Sequence, residues 1–221
     1  MCGRFARHSS TDTFSQLFDA QILDDLPPSF NVAPSQHVLT ARNNTSGGRE
    51  LVALVWGLIP AWSKGPDNRY SMINARAETV ANKPAYRAAF KQRRCLFAVD
   101  GFYEWQRTDT GKQPFYIGLA DHLPFAMAGL WERWQNQNGD VIESCAVITT
   151  EANALVADIH DRMPVILAPD DYAQWLQGAD AKALTALLRP FPAQRMQAYP
   201  VSTRVNNPRN NDPECAKPLD Q

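Results

Sequence analysis

Chemistry on this chain begins with Cys2. A methionine before a small residue is commonly removed, and its loss would leave Cys2 as an amino-terminal 1,2-aminothiol. The α-amine of such a residue has a pKa of about 7.7–8.0, against about 10.4 for lysine, so a useful fraction is unprotonated near pH 7. It can attack an aldehyde without a desolvated pocket. The neighbouring thiol can then add to the imine and close a five-membered thiazolidine, with the effective molarity of about 10⁵–10⁸ M that well-oriented intramolecular steps reach. Acyl transfer is the other chemistry open to it, with the thiol as nucleophile and the free amine as base. The plain alternative is a small apolar residue that follows the start by chance.

Four more segments carry groups that could serve such a reaction. In Ile73-Asn74-Ala75-Arg76-Ala77-Glu78, an amide and a guanidinium two residues apart share a face if the segment is extended; the plain reading is a turn residue and a surface cation. In Leu96 to Trp105, Glu104 stands among aromatics, where desolvation would raise its pKa and make it a proton donor. Periodicity alone instead turns Glu104 to solvent on an amphipathic strand. In Ile159-His160-Asp161-Arg162-Met163-Pro164, the imidazole titrates near neutrality and its neighbours can tune it, or it satisfies carbonyls at a helix end. Trp62, after Pro60, offers a base-stacking platform on an irregular loop, although tryptophans more often pack in cores. His8, His37 and His122 show no usable spacing.

The elements that must position these groups are mostly strands. Residues 3–7 read as a short strand, and Ser10 can cap a helix over TDTFSQLF. Strands are predicted over 37–41, 50–56, 95–99, 102–106, 114–119, 125–134, 141–149 and 196–202, with helices at 85–92, 152–157, 170–176 and 179–188. Loops are predicted over 24–35 and 57–72. This order indicates an α+β fold with a mainly antiparallel, barrel-like or bifurcated β-sheet core and surrounding helices. One domain over 1–221 is expected, with a polar tail from about residue 207.

Composition narrows the class. At 221 residues with 44% apolar and 20% charged side chains, the chain has enough apolar material for a sizeable core. The charge-free stretch Leu51 to Trp62 falls short of the roughly 20 residues that span a bilayer, and the first residues lack a secretory apolar region. Cys2, Cys95, Cys145 and Cys215 form no CxxC pair, which argues against a disulfide scaffold or a zinc site and fits a reducing cytosol. The net charge of −1 hides a division: residues 1–99 hold 12 basic and 7 acidic side chains, and the rest hold 10 and 16. Arginine supplies 16 of the 22 cations, and its planar fork suits phosphate oxygens; genome composition would give the same bias.

Taken in order, MCGRFA at the start, FNVAPSQ at 30–36, VWGLIPAW at 55–62, INARAET at 73–79, CLFAVDGFYEW at 95–105 and IHDRMPVIL at 159–167 closely resemble the SRAP family. These are SOS-response-associated peptidase-like proteins that shield abasic sites in single-stranded DNA, and the chain is similar to their short bacterial members. The resemblance implies a thiazolidine crosslink formed by Cys2 after Met1 removal. It implies that Asn74 positions the cysteine and the sugar, that Glu104 transfers protons during ring opening and imine formation, and that His160 assists proton transfer and reversal. It also implies phosphate contacts from Arg4, Arg76 and Arg162, with Pro34, Trp62 and Trp105 flanking or stacking on bases. The loop SKGPDNRYSM after Trp62 departs from the family pattern, which leaves Lys64 and Arg69 without an assigned role.

The expected partner is therefore single-stranded DNA containing abasic sites, at or near replication forks, with no cofactor, metal or membrane. A cytoplasmic, nucleoid-associated monomer is favoured. The rival readings are an N-terminal-nucleophile thiol peptidase or amidohydrolase, which can also start Met-Cys-Gly, and a non-covalent single-stranded DNA-binding module. Around Cys2, a cleft poor in carboxylates is expected, with Glu104 the exception.

Overall fold

The computed structural model describes residues 2–66 and 72–219. The chain runs through β1 (Phe5–Arg7), α1 (Thr11–Phe18), β2 (Gln21–Ile22), β3 (Ser29–Val32), β4 (His37–Asn43), β5 (Arg49–Trp56), β6 (Asn74–Arg76) and α2 (Arg87–Gln92). The long strands follow: β7 (Arg94–Val99), β8 (Gly101–Thr108), β9 (Gly111–Leu119), β10 (Phe125–Gln135) and β11 (Val141–Glu151). Then come α3 (Ala154–Ala157), β12 (Arg162–Pro164), β13 (Ile166–Leu167), α4 (Tyr172–Gln177), α5 (Ala181–Ala186) and β14 (Met196–Pro200). No helix among the described residues is long and apolar enough to cross a membrane.

The architecture is the expected α+β. Strands β11, β10, β7, β4 and β5 are antiparallel neighbours in that order, and β5 returns to β11 in parallel through Ser144–Val55 and Cys145–Trp56. That last pairing closes a five-stranded barrel and leaves these strands no free edge between them. A second sheet has the order β14-β9-β8-β1-β3.

Both sets of strands are buried on two sides, which explains their nearly continuous apolar sequences. On β7, Leu96 and Ala98 turn outward to meet Phe14, Phe18, Phe90 and Trp175 of the helices. Cys95, Phe97 and Val99 turn the other way and join Phe5, Phe102 and Ile117 of the second sheet. The far side of that sheet presents Ala6, Tyr103 and Tyr116 to Val201, Val205 and Cys215 of the C-terminal segment.

Local sequence accounts for much of this. Ser10 caps α1 by accepting the Thr13 N–H at 3.2 Å, and Phe14 and Phe18 bury one face of the helix. Arg94 is buried, and its guanidinium donates to the carbonyls of Phe90 and Lys91 at the end of α2. It also reaches Trp175, Leu176 and Gly178 at the end of α4. One side chain thus satisfies the orphan carbonyls of two helices and ties both to β7.

The expected loop over 24–35 contains β3, which exists because it pairs with β1 through Phe5–Val32. Likewise β6, β12 and the two-residue β2 and β13 are too short to announce themselves and form by docking on longer strands. Helices expected over 152–157 and 179–188 are shorter, at 154–157 and 181–186, because Asn153 and Asp180 act as their caps.

Gly101 opens β8 directly beneath the Tyr116 ring, where an added Cβ would lie 2.2 Å from Tyr116 Cζ. Gly101→Ala is therefore expected to destabilise the fold by about 2–3 kcal/mol through overpacking, measured as a lower urea midpoint. An unchanged midpoint would show that Tyr116 moves aside freely.

Candidate active site

Cys2 owes its position to β1. Pairing of Phe5 with Phe102, together with the Tyr103 N–H to Arg4 carbonyl bond of 3.0 Å, lays the start of the chain along β8. The Cys2 side chain has 0% exposure and packs in the cluster of Phe5, Trp56 and Phe102. Asn74 approaches from β6, which runs parallel to β11 through Val147–Asn74. Its Nδ2 donates to the Cys2 carbonyl at 2.8 Å, and Tyr86 Oη donates to the Asn74 carbonyl at 3.0 Å. Asn74 Oδ1 is buried with no hydrogen-bond partner, so it can accept from a group brought to the site.

Glu104 does not face solvent as strand periodicity alone would have it. It is only 3% exposed, because Phe102 and Glu104 share the inner face of β8 while Tyr103 and Trp105 take the outer face, and both faces are covered. Burial pushes its carboxyl up to about 7, with the Asp161 charge adding to the rise and a hydrogen bond from the Trp105 backbone opposing it. Burial also raises the Cys2 thiol far above its ordinary value, and the neighbouring Glu104 charge raises it further. The thiol is therefore held protonated beside a carboxyl that titrates near neutrality.

His160 completes the group. It follows α3, its backbone N–H bonded to the Val156 carbonyl at 2.8 Å, and its Nε2 lies 4.0 Å from Glu104 Oε2. The ring does not cap helix carbonyls; its Nδ1 accepts the Arg162 backbone N–H at 3.0 Å. Burial lowers the imidazole pKa below its usual value despite Asp161 Oδ1 at 2.9 Å from Nδ1. A neutral ring accepting at Nδ1 carries its proton on Nε2, on the side of Glu104. Protonating Nδ1 would exchange the amide donor for Asp161.

Cys2, Asn74, Glu104 and His160 thus come together. Two nominated arginines stand on the adjoining rim, either side of β11: Arg76 opposite Thr149, and Arg162 opposite Glu151. Arg76 is exposed, while Arg162 is paired to Glu78 and to the Thr149 carbonyl.

Arg4 and Trp105 lie elsewhere, on the outer face of the second sheet. Arg4 Nη1 donates to Asn31 Oδ1 and the Val205 carbonyl, both at 2.7 Å, and its guanidinium lies 6.0 Å from the Trp105 ring centre. Trp105 Nε1 donates to Asn206 Oδ1 at 2.7 Å. Pro34 is half-buried in the turn before β4. Trp62 is 69% exposed on the turn after β5, beside a groove of about 1430 Å³ that also takes in Ser35, Trp56, Lys64 and Glu143. None of the four clustered residues lines that groove. Met1 and Arg69 lie outside the described residues.

Among the described residues, Glu104 is the carboxylate whose charge acts on the Cys2 thiol. One step out, Asp161 and Glu78 add two more. Three contributors were not singled out from the sequence: Tyr86, which holds Asn74; Glu78, which holds Arg162; and Asn31, which holds Arg4. Glu78 stands two residues beyond Arg76, in the turn that follows β6. Recognising it required β12 to be known as a neighbour.

A family model described as SOS response associated peptidase (SRAP) matches residues 1–208. The abasic site processing protein YoqW of Bacillus subtilis is 46% identical over 220 residues, covering 97% of this chain and 98% of its own. The abasic site processing protein HMCES of Xenopus tropicalis is 37% identical over 222 residues, 87% of this chain and 66% of that longer one. A crystal structure of a protein from Bacteroides thetaiotaomicron matches with a TM-score of 0.90 at 26% identity, over 99% of this chain and 100% of its own.

The buried carboxyl has a measurable consequence. Its folded value of about 7 lies above an unfolded value of about 4.3, so the folded state binds this proton more tightly. The stability it contributes is complete below the unfolded value and is lost as pH rises through 7. Glu104→Gln has no proton to lose, so between pH 4 and 8 unfolding should shift in its favour by on the order of 3 kcal/mol relative to wild type. Parallel pH profiles of melting temperature for the two proteins would contradict the burial argument.

Proposed function

This chain belongs to the SOS response associated peptidase family, and from that premise we propose that it senses and processes abasic sites in DNA, capturing them in single strands as a covalent adduct at Cys2. The observation that carries the reading is the juxtaposition of the Cys2 thiol with a buried carboxyl of pKa about 7. An aldehyde trap built on an aminothiol needs a proton donor for the departing oxygen at the pH where the amine is free, and Glu104 has that property.

With Met1 removed, the Cys2 nitrogen becomes an amine, anchored through the Asn74 bond to its carbonyl. The amine lone pair attacks C1′ of the open-chain deoxyribose, a C–N bond forms as the C=O π bond breaks, and one proton moves from the nitrogen to the oxygen to give a carbinolamine. Glu104 then protonates the hydroxyl, which leaves as water, and an iminium remains. The thiol sulfur adds to the same carbon, its proton passes to the Glu104 carboxylate, and the thiazolidine closes. One water is lost overall and Glu104 ends as it began. His160, neutral near pH 7 with its Nε2 toward Glu104, relays protons to and from that carboxyl. The raised thiol pKa favours the amine as first nucleophile over a thiolate-led peptidase or amidohydrolase reaction.

Arg76 and Arg162, on strands either side of β11, would supply the cations for phosphates flanking the captured sugar, a role supported by the exposure of Arg76 and by the proximity of Arg162 to His160. The Trp62 and Pro34 turns, joined by one groove, suit stacking of splayed bases, which duplex DNA does not offer. For Arg4 and Trp105, on the far face of the sheet, the geometry favours holding Val205 and Asn206 in place over direct contact with the captured nucleotide.

Incubation with single-stranded DNA bearing one abasic site should give an adduct that survives denaturing electrophoresis. Cys2→Ala should abolish it, and Glu104→Gln should slow its formation by about 10²-fold or more while binding persists. No adduct from wild type, or an undiminished one from Cys2→Ala, overturns the covalent reading. Arg76→Ala should weaken binding and flatten the slope of log affinity against log salt by about one. A slope equal to wild type would mean that Arg76 touches no phosphate.

A further inference from the structure

Glu78 takes no part in the chemistry at Cys2, yet it governs how Arg162 is presented. Arg162 Nη1 donates to Glu78 Oε1 and Nη2 donates to Oε2 at 3.0 Å, a two-pronged pairing; Nη2 also donates to the Thr149 carbonyl at 2.7 Å. Arg162 Nε is buried with no hydrogen-bond partner. Of the five N–H bonds of the guanidinium, only the outer one on Nη1 therefore remains to be offered to a ligand.

A carboxylate and a phosphodiester present the same two-oxygen edge to a guanidinium fork. They cannot hold the same edge together. The side chains are unequally fixed: Arg162 is 16% exposed and Glu78 is 52% exposed, so the acid is the partner free to swing away. The Arg162 hydrogen bond, aided by the Arg162 and Arg76 charges, holds the Glu78 carboxyl below its usual range, which keeps it ionised and competitive at neutral pH.

We propose that Glu78 occupies the phosphate seat of Arg162 as an internal stand-in that a DNA phosphodiester must displace, making Glu78 a specificity-determining residue that suppresses binding to undamaged strands. The inference rests on the reading of this site as one for DNA. Each phosphate gained at Arg162 is offset by the internal pair it breaks, so non-covalent attachment to intact strands stays weak. An abasic strand meets the same offset, but the covalent bond it gains at Cys2 outweighs it, whereas an intact strand has no such gain. The pair and the Thr149 carbonyl also hold the guanidinium in one place while no DNA is bound, so little side-chain freedom is lost on exchange.

The test is fluorescence anisotropy with undamaged oligothymidylate across a salt series, using wild type, Glu78→Gln, Arg162→Gln and the double variant. Glu78→Gln keeps the shape and one acceptor while removing the charge. It should tighten binding by about 2- to 5-fold and steepen the salt dependence by about one ion. In the Arg162→Gln background the same change should do little. Binding that is unchanged or weaker in Glu78→Gln overturns the proposal, because Glu78 would then only support Arg162. An equal gain in both backgrounds also overturns it, since a general change of field would explain the effect. No measurable binding by any of the four proteins overturns it as well. Adduct assays on abasic DNA run in parallel keep the two readings apart: an adduct without the Glu78 effect sinks only the stand-in, and the Glu78 effect without an adduct sinks only the covalent reading.

Discussion

Holding the Glu104 carboxyl out of water is the constraint on which the rest of the site depends. In solution a glutamate is ionised at neutral pH and has no proton to give. On the inner face of β8, between the barrel strands and the second sheet, the charged form is penalised enough to bring its pKa to about 7. That penalty is borne by the fold, through the β10–β11 pairing, the closed barrel and the long β8–β9 pairing, to which Glu104 contributes only its backbone. The same burial holds the Cys2 thiol protonated. A thiol that stays protonated and a carboxyl that is half protonated are poorly matched to thiolate chemistry and well matched to an amine that attacks first.

Precision at this site comes from short elements held by long ones. Asn74 begins a three-residue strand that could not persist alone, and β11 supports it on one side while Tyr86 bonds its carbonyl. His160 is placed by the one-turn helix α3, whose start is fixed by the Asn153 cap, and by the Arg162 amide. The Cys2 backbone is tied to Asn74, so the two ends of the reaction centre are fastened to each other as well as to the sheets. On the far side, Asn31 accepts from Arg4 and donates to the carbonyls of Val205, Asn207 and Asn210, fixing the C-terminal segment over the outer face of β1 and β8. That cover is what makes β8 a strand buried on both faces.

This explains how much of the molecule was legible in its sequence. The long strands and α1 were legible because their apolar periodicity and caps are local: Ser10 and the Phe14–Phe18 spacing need no tertiary information. Strands β3, β6 and β12 were not, since each exists only by pairing with a partner distant in the chain. Glu104 misled for a related reason. Alternation separates the two faces of a strand but does not say which face meets water, and here neither does. Residue types and motif order nominated Cys2, Asn74, Glu104 and His160 together, and the fold brings those four into one group. The same motifs nominated Arg4 and Trp105, which sit one residue out of phase with Phe5 and Glu104 and so fall on the opposite face. The Glu78–Arg162 pair joins segments 84 residues apart and left no sequence signal of its own.

The central claim is that the amine and the thiol of Cys2 are both consumed on one carbon of the abasic sugar. Mass spectrometry of the amino-terminal peptide tests it most directly, after reaction with abasic single-stranded DNA, nuclease trimming and treatment with a thiol-alkylating reagent. The account predicts a peptide that begins at Cys2, carries the sugar remnant less one water, and takes up no alkylating group. A remnant on a peptide that still bears Met1, on another residue, or on a Cys2 whose thiol remains alkylatable would contradict it.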